Sequence, residues 1–244
     1  MKVANGVEVI ELKIDAMGNE IVLHPTLVFD NEISILIDTG IPGQLHEIKG
    51  AMAKADVSFQ SLIGIILTHQ DIDHIGSAPQ LLEEFNKPML VYAHKEDQPY
   101  IEGDVPLIKT DISRMSKQEL DALPNEVRYL YNNPPSVKVN KLLKDNQVLP
   151  YCGGIEVIYT PGHSPGHVSL YLKKTKTLVA GDAMVKMNGR LWGPVKQTTL
   201  DMKAATQSLE KLLDYDIETV ICYHGGVFKG NPRPYILEIL SEIV

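Results

Sequence analysis

The stretch LTHQDIDHIG, residues 67–76, closes the apolar run SLIGIIL and packs His69, Asp71, Asp73 and His74 into six positions. No other feature constrains the chain as strongly. A buried strand that runs straight into two imidazoles and two carboxylates destabilises its own fold unless something cationic sits among them. That cation needs further ligands, and strand ends are where loops converge. Three other apolar strands end in metal-ligand side chains: TPGHSPGH with His163, VAGD with Asp182 and ICYHGG with His224.

Spacing suggests how the ligands divide. In an extended or loop segment, residues i and i+2 point the same way, so His69 and Asp71 can share one ion, with Asp73 on the same side. His74 opens a helix and can turn toward a second ion beside Asp73. His163 can complete the first site, His224 the second, and Asp182, with two oxygens, can bridge. Each ion would then keep an open position, as a catalytic site requires. Isolated histidines are more often core or surface residues, and His24, His46 and His94 are read that way.

The surrounding pattern is α/β. The first forty residues read as strands: VEVIELKI alternates, IVLHPTLVF is β-rich, and ISILID stops at the turn Asp38-Thr39-Gly40. A helix is expected from about Gln44 to Lys54, a strand at 61–67, a helix over IGSAPQLLEEF ending before Asn86, and a strand at 89–94. Strand, helix and strand in that order imply a parallel pair with a crossover. Later, strand patterning resumes in GIEVIYTPGHSPGHVSLYL and TLVAGD. A helix over 201–214, capped by Thr199 or Asp201, precedes a strand ending at His224. PRPYILEILSEIV closes the chain as a helix. Residues 95 to about 150 are rich in Pro, Asp, Asn and Lys, with a helix near Ser116 to Leu123. They read as an insertion over a single domain of 1–244, serving as a lid or subunit contact.

Composition excludes several classes. With 244 residues and 44% hydrophobic content, the chain can bury a sizeable core. A net charge of −8 with no basic run argues against nucleic acid and against an anionic membrane surface. The two cysteines, Cys152 and Cys222, form no CxxC pair and read as free thiols. No apolar stretch spans a membrane, and the N-terminus lacks the apolar core of a signal peptide. A small-molecule substrate and a cytoplasmic location are therefore expected.

THQDIDH, PGHSPGH, GD and HGG, in that order behind a strand ending LIDTG, resemble the metallo-β-lactamase superfamily. The resemblance covers nearly the whole chain outside the insertion. It implies an αββα sandwich, two mixed β-sheets face to face with helices outside. It also implies two divalent metal ions: His69, Asp71 and His163 on the first, Asp73, His74 and His224 on the second, and Asp182 bridging. Asp38 matches a buried turn carboxylate that orients a ligand, and His167 matches a recurring position read here as structural. By the same analogy, the insertion would build a homodimer.

One position departs from the pattern. The family motif is HxHxDH, and here Asp71 replaces the middle histidine, giving HxDxDH. Two divalent ions against three carboxylates leave +1 where the usual two carboxylates leave +2. Zinc is the expected metal, with manganese or iron better tolerated at the first site than in an imidazole-rich one. The function implied is hydrolysis of a lactone, ester or related carbonyl compound, with Asp73 orienting the nucleophile and passing its proton to the leaving group. A phosphodiesterase or nuclease is one alternative, and a diiron redox protein is another. Similar lactonases carry a catalytic tyrosine three residues after the bridging aspartate, where this chain has Val185. Met184, Met187 and Trp192 are candidates for an apolar substrate wall, and Lys186 and Arg190 for holding a substrate carboxylate.

Overall fold

The computed structural model describes residues 1–16, 19–85 and 87–242. The first part of the chain supplies strands β1 (Lys2–Ala4), β2 (Val7–Val9), β3 (Leu12–Ala16), β4 (Asn19–Leu23), β5 (Thr26–Phe29), β6 (Ser34–Ile37), β7 (Leu62–Ile66), β8 (Leu90–His94) and β9 (Lys141–Leu143). Seven of them form one sheet in the order β1-β2-β5-β6-β7-β8-β9. It is antiparallel up to β6 and parallel from β6 to β9. β3 and β4 pair with each other as a separate hairpin.

The second part supplies β10 (Val148–Leu149), β11 (Ile155–Tyr159), β12 (Val168–Leu172), β13 (Thr177–Gly181), β14 (Val185–Met187), β15 (Arg190–Trp192), β16 (Thr219–Cys222) and β17 (Gly226–Lys229). A six-stranded sheet runs β10-β11-β12-β13-β16-β17, with β13 and β16 parallel. β14 and β15 stand apart as a hairpin that sequence patterning leaves unassigned.

Two-residue alternation along the strands builds the layers. Ile35, Ile37, Ile66 and Tyr92 of the first sheet share one buried cluster with Ile155, Val157, Leu170, Val179 and Ile221 of the second. The sheets therefore pack face to face. The alternate residues Leu36, Ile65 and Val91 point outward and meet Ile48 and Met52 of α1 (Leu45–Lys54). On the far side, Leu178, Ala180 and Val220 pack beneath Leu209, Leu212 and Ile236. This is the αββα sandwich.

The helix expected over 75–85 is shortened to α3 (Ala78–Glu84), and a separate turn of helix, α2 (Ile72–Ile75), precedes it. Ser77 causes the break: its hydroxyl donates to Ile41 O at 2.6 Å and accepts from Gln44 N at 2.9 Å. Three short helices follow, α4 (Gln98–Ile101), α5 (Lys117–Ala122) and α6 (Asn125–Asn132). Only the one near 116–123 is expected from the sequence, and in the structure Ser116 and Glu119 close a capping box at its start. The stretch from 95 to 150 returns to the sandwich, because β9 joins one sheet and β10 the other.

The helix over 201–214 is α7 (Met202–Ser208), and it continues to Asp214 as a tighter 3₁₀ turn. Asp201 caps it, accepting from Ala204 N at 2.9 Å. α8 (Arg233–Ser241) follows, and the last two residues of that segment, like Asn86, lie outside the described residues. Both cysteines are free. Among the described residues, no helix is long and apolar enough to cross a membrane.

Candidate metal centre

Parallel strands release their loops on one edge, and ligands gather where strands end at their carboxyl side. β6 stops one residue before Asp38, β7 runs into residues 67–74, β13 stops one residue before Asp182 and β16 leads to His224. His163 lies in the turn between β11 and β12. These ends bring all seven candidate ligands together. Ligand atoms of His69, Asp71, His163 and Asp182 lie within 4.8 Å of one another, and so do those of Asp73, His74 and His224.

Asp182 touches both groups. Its Oδ2 lies 3.3 Å from His163 Nε2 and 3.4 Å from His224 Nε2, and its Oδ1 lies 3.4 Å from His74 Nε2. Asp71 Oδ2 is 3.2 Å from both His69 Nε2 and His163 Nε2. Asp73 Oδ2 is 3.3 Å from His224 Nε2 and 3.9 Å from His74 Nε2. Metal–ligand bonds of about 2.0–2.2 Å in tetrahedral array separate neighbouring ligand atoms by roughly 3.3–3.6 Å. His69 Nε2, His74 Nε2 and Asp182 Oδ1 are buried without a hydrogen-bond partner. Buried polar atoms are rarely left so, and all three belong to the ligand groups or touch them, which bound cations would explain.

The other ring nitrogens are engaged. Asp38, at φ 60°, accepts from Thr68 N and Thr68 Oγ1 at 2.8 Å and from His74 Nδ1 at 2.9 Å. With its proton donated to Asp38, the Thr68 hydroxyl is left to accept from His69 Nδ1 at 3.0 Å. Thr199 does the same for His163 Nδ1 at 3.3 Å while donating to Val195 O. Each imidazole thereby turns Nε2 toward the cluster. His167 is buried and accepts from Asp182 N at 3.0 Å while Nδ1 meets Thr160 Oγ1 at 2.8 Å. It positions Asp182 rather than joining the cluster. The glycine before Asp182 is required for this contact: a Cβ on Gly181, at φ +55°, would stand 2.7 Å from His167 Nε2.

The field of the site is divided. Burial pushes His69 well below its ordinary range, aided by His74. Burial also opposes the charge on His74 and His224, but Asp38 and Asp182 outweigh it at His74, and Asp182 and Asp73 at His224. His74 is held well above its ordinary range and His224 is pushed up to about 10. Burial likewise opposes ionisation of Asp182 and Asp71. The neighbouring imidazoles, with Lys109 beside Asp71, hold both carboxyls well below the usual range. The carboxylates thus raise the affinity of His74 and His224 for positive charge, a proton or a metal ion alike.

Four residues near the cluster carry no sequence signal. Lys109 donates to Asp71 Oδ2 and sits 2.6 Å from His163 Nε2. Asp97 is buried and accepts from Gln70 N at 3.0 Å, Ser164 Oγ at 2.6 Å and Gly166 N at 2.7 Å. Tyr223 stacks on His74 with ring centres 3.7 Å apart, and its hydroxyl donates to Asp73 O. Tyr131 of α6 has its phenol pushed up by burial and then by the charges of Asp73 and Asp71.

Other candidates lie elsewhere. Met184 is fully buried in the outer core of the second sheet. Arg190 pairs with Glu238 and lies over the Trp192 ring, so its guanidinium is engaged away from the cluster. Met187 and Trp192 are exposed along a groove of about 680 Å³ between the β14–β15 hairpin and α8. Of the histidines set aside earlier, His24 donates from Nδ1 to Tyr223 O and His94 stacks on Tyr159.

The comparisons agree with this geometry. Residues 24–224 match the model of the metallo-β-lactamase superfamily. "Probable metallo-hydrolase YflN" of Bacillus subtilis is 34% identical over 224 residues, covering 86% of this chain and 82% of that one. The hydroxyacylglutathione hydrolase GloC of Haemophilus influenzae is 24% identical over 65% of each chain. Among solved structures, the metallo-β-lactamase family protein TTHA1429 of Thermus thermophilus superposes with a TM-score of 0.74 at 20% identity, over 98% of this chain and 80% of that one. The chain belongs to the metallo-β-lactamase superfamily and is a metallo-hydrolase.

Proposed function

We propose that the chain hydrolyses a lactone, ester or related carbonyl compound at a dinuclear metal centre. The supporting observation is the pair of ligand groups joined through Asp182, with buried Nε2 and carboxylate atoms left without hydrogen-bond partners. His69, Asp71, His163 and Asp182 would hold one ion, zinc first, with manganese or iron as alternatives. Asp73, His74, His224 and Asp182 would hold the other. When bound, such a pair supplies an ionised water near neutral pH and polarises the acyl oxygen. The relative named for an acyl group on glutathione supports a carbonyl rather than a phosphoryl substrate.

The chain's own residues do the rest. The Asp73 side chain is 29% exposed, so its second oxygen can meet solvent and substrate. It accepts the proton of the attacking water and returns it to the leaving group. Asp38, Thr68 and Thr199 keep the imidazoles aligned throughout. Val185, which stands where similar lactonases carry a tyrosine, has no polar side-chain atom to offer. Tyr131 brings a phenol close enough to feel Asp73 and Asp71.

The test is turnover by metal-analysed protein of p-nitrophenyl acetate, a γ-lactone, an S-acyl thioester and bis(p-nitrophenyl) phosphate. Carbonyl hydrolysis is expected, abolished by chelator and restored by zinc or manganese. At saturating metal, Asp73→Asn should lose roughly 10²- to 10³-fold in kcat. Faster phosphodiester cleavage, or bound iron with oxygen consumption, would replace this reading.

A further inference from the structure

The stretch between β8 and β9 delivers a lysine to the rim of the cluster, and nothing in the ligand set accounts for it. We propose that Lys109 is an additional cation of the active site, whose ammonium contacts the substrate oxygen on which negative charge develops. The inference rests on the hydrolase reading above and names a further catalytic residue within it.

Position is the first ground. The Lys109 ammonium donates to Asp71 Oδ2 and reaches His163 Nε2 at 2.6 Å, so it lies along one edge of the first ligand group. Among the described carboxylates its ion pair is with Asp71 alone, and an ion taking the lone pair of His163 Nε2 would leave the ammonium only that Asp71 contact at the edge of the group. It is also nearer solvent than the ligands it borders: its side chain is 20% exposed, against 13% for Asp71, 9% for Asp182 and 2% for His163. A lysine that only neutralised Asp71 could do so from the buried side. This one lies on the more exposed side of Asp71 and His163.

The placement is built in. Leu107, two residues earlier, is buried in the core beneath the first sheet. Ile108 N donates to Gln70 Oε1 at 2.9 Å, and Gln70 sits between His69 and Asp71. The lysine backbone is therefore tied to the same loop that carries two of the ligands. Preorganised charge of this kind stabilises a transition state without reorganisation at the moment of reaction.

Charge is the third ground. Replacing an imidazole with Asp71 lowers the formal charge of a two-ion site to +1, and the ammonium returns it to +2. In the step itself, attack by the water oxygen forms a C–O bond and sends the carbonyl π pair onto oxygen. Lys109 donates a hydrogen bond to that oxygen and keeps its protons. Collapse returns the pair to the carbonyl and breaks the bond to the alkoxide or thiolate, which takes the proton held by Asp73.

Metal-loaded wild type, Lys109→Met and Lys109→Arg would be compared for p-nitrophenyl acetate turnover, for metal content, and for equilibrium binding of methylphosphonate, a tetrahedral anion. Lys109→Met is expected to lose roughly a hundredfold in kcat with little change in KM. It should also bind methylphosphonate about tenfold more weakly with unchanged metal content, and Lys109→Arg should recover part of both. Retained kcat, a loss confined to KM, a loss repaired by excess metal, or unaltered phosphonate binding would each overturn the assignment. If the wild type turned over no carbonyl substrate, the hydrolase reading would fail, while phosphonate binding would still report on Lys109.

Discussion

Each histidine of the cluster whose Nδ1 partner is visible spends that nitrogen on a neighbouring oxygen: Thr68 for His69, Asp38 for His74 and Thr199 for His163. His167 does the reverse, accepting at Nε2 from the backbone of Asp182. Its role is measurable through pH. Burial, with His163, lowers its pKa from 6.5 to about 3. The folded state then binds fewer protons than the unfolded one, so the stability this ring contributes is complete above pH 6.5 and is lost as pH falls toward 3. Melting temperature against pH should drop across that window in the wild type. His167→Gln, which can still accept from Asp182 N, should lower the melting temperature at neutral pH yet show a shallower acid slope. An unchanged slope would remove His167 from the acid lability.

At the scale of elements, the ligands depend on loops that the sheets do not themselves fix. Asp97, just past β8, holds two of them: Gln70 N in the loop after β7, and Ser164 and Gly166 in the turn that carries His163. Burial raises its pKa while these three donors lower it, a carboxylate that exists for its hydrogen bonds. Removing it leaves buried donors without partners. Asp97→Ala should weaken zinc binding by roughly 10- to 100-fold in calorimetric titration while circular dichroism remains native, with Asp97→Asn intermediate. Wild-type affinity in both variants would refute the clamp. The HGG turn is fixed just as tightly: a Cβ on Gly225, at φ +104°, would overlap Lys186 O at 1.9 Å, and Lys186 N donates to His224 O.

Across the whole molecule, what could be read in advance was whatever local pattern determines. LIDTG, THQDIDH, PGHSPGH and HGG declared the ligand-bearing loops because each joins an apolar strand to polar groups at short spacing. The layers were implied by the family resemblance those motifs carry, and it is the folded sheet that turns Leu36 to one face and Ile35 and Ile37 to the other. Contacts made by distant segments were not legible. β9 and β10 are strands of three and two residues that exist only because β8 and β11 offer them edges. The break between α2 and α3 is set by Ser77 bonding residues near position 41. Lys109 and Asp97 come from a stretch whose composition reads as surface, and only the folded chain shows them against the candidate ligands and their loops.

The central claim is that seven side chains from separate strand ends surround two adjacent divalent ions. Anomalous diffraction at the zinc, manganese and iron edges from crystals of protein purified without chelator tests it most directly. Two peaks roughly 3.5–4 Å apart are expected, one among His69, Asp71, His163 and Asp182, the other among Asp73, His74, His224 and Asp182. A single peak, a pair elsewhere, or none after soaking in these metals would contradict it.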